Sequence, residues 1–136
     1  HRDLHSFPTR RSSDLGSGIG SAVSRELALR GARAVVMIDR RDQVFELAES
    51  INAEVGRQVA EAHVGDTTND TFRGQIYDEI TARHGVASIC VPAAGITRDA
   101  LAVKLNKDTG KAEPYSIFQF REVTEVNLIA GWHGPA

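Results

Sequence analysis

The sequence predicts an α/β fold with a doubly wound parallel sheet, and three observations carry that expectation. The glycine cluster Gly16-Ser17-Gly18-Ile19-Gly20 stands immediately before a helical pattern. Ala34-Val-Val-Met-Ile38 is an unbroken apolar run, the mark of a strand buried on both faces. From there helical and extended patterns alternate, and such alternation winds into a parallel sheet through right-handed crossovers.

The elements follow in order. From His1 to Leu15 the apolar residues are Leu4, Phe7, Pro8 and Leu15, which fit neither a strand nor a helix period. These fifteen residues back-translate, in one frame, into a sequence that resembles a common short-read sequencing adapter. Residues 1–15 are therefore expected to be a non-native scar, and 16–136 a partial domain. The scar stands where a strand should feed the glycine loop. The sheet is thus expected to be truncated, with its first strand overwritten and its C-terminal strands missing. Pro8 lacks the N–H that a ladder needs, and Arg10 and Arg11 are adjacent, so one would point into a covered face. Poor pairing, or a place outside the sheet as coil, is expected there.

Ile19, Val23 and Leu27 give Ser21–Arg30 a helical stripe, and Gly31 stops it. Val44, Leu47, Ala48, Ile51 and Val55 mark the clearest helix, Gln43–Val55, closed by Gly56. Val59–Val64 reads as a weaker strand. Thr68 or Asn69 can cap the next helix, whose stripe is Phe72, Ile76 and Ile80. Ala87–Val91 reads as another buried strand, with Cys90 as a small core residue. Leu101–Tyr115 is polar, with Asp108-Thr-Gly110 turning between two short extended pieces. Phe118–Ala130 reads as a last helix.

Composition narrows the function. The whole chain carries a formal charge of −2, and without the scar 13 basic residues face 16 acidic ones, a charge of −3. Such a balance gives no electrostatic case for nucleic acid or an anionic membrane as partner. No apolar run approaches the length of a membrane span. The single Cys90 cannot form an internal disulfide, so a reducing, cytoplasmic compartment is expected.

The glycine cluster is where chemistry enters. Glycines before a helix let the backbone approach a pyrophosphate, and the helix N-terminus favours its charge. Asp39 closes the following strand 19 residues after Gly20. At that spacing a carboxylate accepts the hydroxyl hydrogens of an adenosine ribose. A carboxylate there repels a 2′-phosphate, so NAD is expected over NADP. Arg40 and Arg41 are the residues that could receive such a phosphate.

With these residues in place, the chain resembles the short-chain dehydrogenase/reductase family. Gly18 and Gly20 match the last two glycines of its T-G-x-x-x-G-x-G motif, whose Thr and first Gly would fall on Ser13 and Asp14. Gly65-Asp66-Thr67-Thr68 resembles the family's D-[VL]-T, which implies that Asp66 bonds the adenine amino group, with Thr67 in the hydrophobic slot. Val91-Pro-Ala-Ala-Gly95 stands where the family has N-N-A-G. Ala94 and Gly95 match, while Pro92 and Ala93 replace both asparagines; small residues at 93–95 still let the chain pass close to the cofactor ribose. Gly95-Ile-Thr-Arg-Asp-Ala-Leu101 is similar to the β-ketoacyl-carrier-protein reductase branch. Val126-Asn127-Leu128 resembles the family's V-N-[LV], which implies a catalytic Asn127 that holds a water and the lysine of a proton relay. Asn127 lies in the row Phe120, Val123, Asn127, Ala130, where a helix should be apolar, and a buried amide needs partners.

The resemblance implies a Rossmann-type domain that binds pyrophosphate at Ser17, Gly18, Ile19 and Gly20, without a metal. It implies a parent enzyme moving a hydride between nicotinamide and a small carbonyl or secondary alcohol, 3-oxoacyl thioesters among them, and working as a homo-oligomer. Neither Tyr77 nor Tyr115 is followed by a lysine four residues on. The Y-x-x-x-K acid/base pair is missing, so the chain alone is expected to be inactive. The alternative is a non-catalytic nucleotide-binding regulatory module.

Overall fold

A computed structural model of the chain describes residues 18–132. Ser17, the adapter-like segment and the residues after Trp132 lie outside that range. Five elements form the packed part: α1 (Ile19–Leu29), β1 (Val35–Asp39), α2 (Gln43–Val55), β2 (Ala60–Val64) and α3 (Asp70–His84). A hairpin follows, β3 (Val103–Leu105) and β4 (Ala112–Pro114), and then α4 (Ile117–Thr124). The last helix continues through a π-helical turn, Glu125–Ile129, into α5 (Ala130–Trp132).

The architecture is α/β. β1 and β2 pair in parallel, in register from Val35 opposite Ala60 to Asp39 opposite Val64. Parallel strands need a crossover, and α2 supplies it. Val35 and Met37 alternate inward from β1 and meet Ala28 of α1 and Val44, Leu47, Ala48 and Ile51 of α2. Val59 and Ala60 complete this core. α2 has the bounds that its stripe predicts, and Gly56 ends it with φ 73, a left-handed conformation that a Cβ would strain.

Asn52 fastens α2 to β2 from inside. It lies one helical turn past Ala48, on the edge of the apolar stripe, and is buried. Its Oδ1 accepts from the backbone N–H groups of Val59 and Ala60, both at 2.8 Å. Its Nδ2 donates to the Ala60 carbonyl at 2.9 Å and to Gln58 Oε1 at 3.0 Å. Every hydrogen-bonding atom of the amide therefore serves the link between helix and strand.

Three expectations need correction. Val36 and Ile38 are half-buried rather than fully buried, because the described neighbours fully cover one face of β1. Ile76 and Ile80 of α3 are buried as expected, but Phe72 is only half-buried and Arg73 takes its place in the inner row. Ala87–Val91 is irregular, with Ile89 63% exposed, Val91 45% exposed and Cys90 exposed. A parallel strand is held by ladder partners on its flanks. The neighbour that the sequence assigns to this run is the first strand, whose place falls outside the described residues.

The polar excursion is a two-stranded antiparallel hairpin, Val103 opposite Pro114 and Leu105 opposite Ala112, turning at Gly110. Lys104 and Glu113 pair across it at 3.4 Å. The last helix leaves Phe118 and Phe120 exposed, so the stripe expected from Phe120 to Ala130 is not a buried one.

Candidate nucleotide-binding site

β1 and β2 end side by side, and the Gly65 N–H donates to the Asp39 carbonyl at 2.8 Å, which carries the pairing one step past the strands. Asp39, Arg40, Asp66 and Thr67 are thereby gathered at the carboxyl edge of the parallel pair, where open α/β sheets bind ligands. α1 enters β1 through a short link and packs on it through Leu27 and Ala28. In a wound α/β layer a helix that feeds a strand through a short link runs antiparallel to it, an arrangement that would bring the N-terminus of α1, Gly18 to Gly20, to the same edge. No side chain caps that terminus among the described residues. Its first-turn N–H groups are the donors that an anionic pyrophosphate requires.

Each carboxylate has one oxygen that accepts no hydrogen bond among the described residues, and that of Asp66 is ion-paired with Arg40. Asp39 Oδ1 accepts from the Arg41 N–H at 3.0 Å, and its second oxygen has no partner among the described residues. Asp66 Oδ1 accepts from the Thr68 N–H at 2.9 Å and from the Thr68 hydroxyl at 2.7 Å. These two hydrogen bonds hold the Asp66 carboxyl below the usual carboxylate range, with help from Arg40. Arg40 Nη2 lies 3.8 Å from Asp66 Oδ2, which remains available as an acceptor. The helix cap is Asn69, whose side chain accepts from the Phe72 N–H at 3.0 Å, so Asp66 is not spent on capping α3. A donor-bearing ribose and an adenine amino group fit this acceptor set.

Gly65 sets the approach to Asp66. A Cβ there would overlap the Phe72 ring, which lies across the glycine. Gly65→Ala is expected to lower stability by about 1–3 kcal/mol, the usual cost of overpacking. Denaturant unfolding measures it, and Phe72→Leu in the same chain should recover most of the loss. Equal stability of Gly65→Ala and the parent chain would refute the contact.

A second group forms around Asn127. The residue sits in the π-helical turn, and its exposure corrects the expectation of a buried amide. Its amide is nevertheless fully engaged. Oδ1 accepts from the Ile96 N–H and Nδ2 donates to the Ile96 carbonyl, both at 2.8 Å. Gly95 lies directly against the amide, so the segment Ala93-Ala94-Gly95 is drawn to this helix. Two further ties hold the strand of chain after it: Arg98 Nε lies 3.3 Å from Glu122 Oε2, and the Tyr115 hydroxyl donates to the Arg98 carbonyl at 2.8 Å. A shallow groove of about 300 Å³ opens between Ile96–Ala100, Tyr115, Val123 and Asn127. No hydrogen bond or ion pair among the described residues joins the Asn127 group to the Asp39–Asp66 edge.

The sequence pattern of the short chain dehydrogenases matches residues 15–133. The chain belongs to this family. Short chain dehydrogenases are oxidoreductases that work with nicotinamide cofactors. Among curated relatives, the 3-oxoacyl-[acyl-carrier-protein] reductase of Chlamydia trachomatis is 29% identical over 91 residues, 67% of this chain. Carbonyl reductase family member 4 of Xenopus tropicalis is 33% identical over 115 residues, 82% of this chain. The chain spans 36% and 41% of the lengths of these two relatives. Sequence reasoning singled out Asp39 and Asp66 but missed Asn52, Arg73 and the tie from Asn127 to Ile96. The Asn52 and Arg73 bonds reach only three to eight residues along the chain but leave no residue pattern, and Asn127 meets Ile96 31 residues away.

Proposed function

We propose that the chain is the cofactor-binding portion of a nicotinamide-dependent short-chain oxidoreductase, and that it prefers NAD to NADP. The observation that carries this is the pair of carboxylates, Asp39 and Asp66, at the carboxyl edge, each with an oxygen that accepts no hydrogen bond among the described residues. Ser17, Gly18, Ile19 and Gly20 would hold the pyrophosphate, Asp39 the adenosine ribose and Asp66 the adenine, with Thr67 beside the ring. Ala93, Ala94 and Gly95 would pass close to the nicotinamide ribose, and Asn127 would serve the proton relay. Arg40 is the residue through which a 2′-phosphate could still be met.

Residues 1–15 are proposed to stand outside the functional domain, a reading supported by a family match that begins at residue 15. The parent enzyme would move a hydride between nicotinamide and a small carbonyl or secondary alcohol, as a homo-oligomer in the cytoplasm. The reductase names of the two relatives favour the reducing direction, and the first of them favours a 3-oxoacyl thioester substrate. Among the described residues no helix is long and apolar enough to cross a membrane.

Calorimetric titration of the chain with each dinucleotide tests the preference. NADP is expected to bind at least about tenfold more weakly than NAD, about 1.4 kcal/mol, the scale of one like-charge contact near a protein surface. Tighter binding of NADP would overturn the role given to Asp39. One feature favours a second reading, a nucleotide-binding regulatory module without catalysis: neither tyrosine is followed by a lysine four positions on.

A further inference from the structure

We propose that Arg73 is a positioning residue for the adenine end of the nucleotide site. The inference rests on the reading of Asp66 given above and adds a residue outside every motif that supports it. Arg73 is 6% exposed and stands in the inner row of α3, where Ile76 and Ile80 are its companions. A guanidinium in that row is costly on two counts. Burial strips its water, and the first turns of a helix disfavour positive charge. Its bonds are what offset those costs. Nη1 donates to the Thr67 carbonyl, and Nη2 pairs with the Asp70 carboxylate.

The two bonds reach opposite ends of the turn that leads from β2 into α3. Thr67 is the residue directly after Asp66, and Asp70 opens the helix. The planar fork of Arg73 spans the distance between them, as a single ammonium cannot. From the solvent side, Thr68 fixes Asp66 Oδ1 with two hydrogen bonds. From the buried side, Arg73 fixes the backbone of the adjoining peptide. The turn is clamped from both sides, and the direction of Asp66 Oδ2 is set before any ligand arrives. Preorganisation of this kind raises affinity by removing the ordering cost from the binding step.

The test uses the full chain and adenosine 5′-monophosphate, with Arg73→Met and Arg73→Lys as variants. Arg73→Lys keeps the charge and loses the fork, which covers the case in which Arg73→Met fails to fold. In both, the amides of Thr67, Thr68 and Asn69 are expected to exchange at least about tenfold faster relative to amides of α2, and the nucleotide to bind about tenfold more weakly, the effect of losing roughly one charge-assisted hydrogen bond. Unchanged exchange at 67–69 would overturn the clamp. Faster exchange with unchanged nucleotide affinity would overturn its role in binding. Failure of the parent chain to bind the nucleotide would instead bring down the reading of Asp66, with the exchange result still deciding whether Arg73 holds the turn.

Discussion

Asn52→Ala is expected to cost about 3–9 kcal/mol of folding stability, summed from the penalty of about 1–3 kcal/mol for each buried group left without a partner. The substitution strands three of them: the N–H groups of Val59 and Ala60 and the Ala60 carbonyl. Val59 and Ala60 are 2% and 6% exposed, so water does not replace the amide without opening the core. The loss is comparable to the whole stability of many domains, about 5–15 kcal/mol. Asn52→Asp is no rescue, because its second oxygen would face the Ala60 carbonyl, and burying its charge adds a further cost. Guanidinium or urea unfolding measures the effect. Glu49→Ala, on the exposed face of the same helix, should stay within about 0.5 kcal/mol of the parent. A loss of less than about 1 kcal/mol for Asn52→Ala would refute the bonding described for this side chain.

Turnover is the second large effect. The chain as written is expected to reduce no carbonyl substrate above background. A positioned acid that delivers the proton contributes about 10²–10⁴-fold. Neither tyrosine is placed to act as that acid. The Tyr77 hydroxyl lies 3.9 Å from Cys90 Sγ, and burial, with this contact, pushes it above the usual tyrosine range, making it a weaker proton donor. The Tyr115 hydroxyl already donates to the Arg98 carbonyl. Neither has the lysine four residues on that would lower its pKa. The assay is the loss of reduced-nicotinamide absorbance with a panel of ketones, aldehydes and acyl thioesters. Measurable turnover by the chain would contradict the expectation, whereas a longer reading frame with Tyr-x-x-x-Lys after Asn127 should be active.

The parts of the molecule that were legible in the sequence are those fixed by neighbours along the chain. α2 could be bounded because five apolar residues and a terminal glycine state the helix locally. The hairpin could be placed because Asp108-Thr-Gly110 states its turn. Asp39 was singled out because it closes a strand 19 residues after Gly20, and Asp66 because Gly65-Asp66-Thr67-Thr68 resembles a family motif. What escaped was set by how the elements pack rather than by a residue pattern. Asn52 looks like a polar residue beside a stripe until β2 brings two peptide groups to it. Phe72 and Arg73 exchange places because a ring fits over Gly65 and a guanidinium finds the Thr67 carbonyl. Ala87–Val91 has the composition of a strand, but composition supplies no ladder. Asn127 was singled out as a misfit in an apolar row, while its partner, Ile96, lies 31 residues away and carries no signal of its own.

All the buried side chains among the described residues lie before residue 85, and none lies between 85 and 131. Resistance to local unfolding follows burial, so the two parts have different lifetimes. The β1–β2 edge with its two aspartates belongs to the persistent part and keeps its shape while the rest of the chain opens and recloses. Asn127 and Ile96 belong to the part that opens first and is first accessible to a protease. On the reading proposed for Asp39, Asp66 and Asn127, the adenosine half of a dinucleotide would meet the persistent part of the chain and its other half the part that opens first.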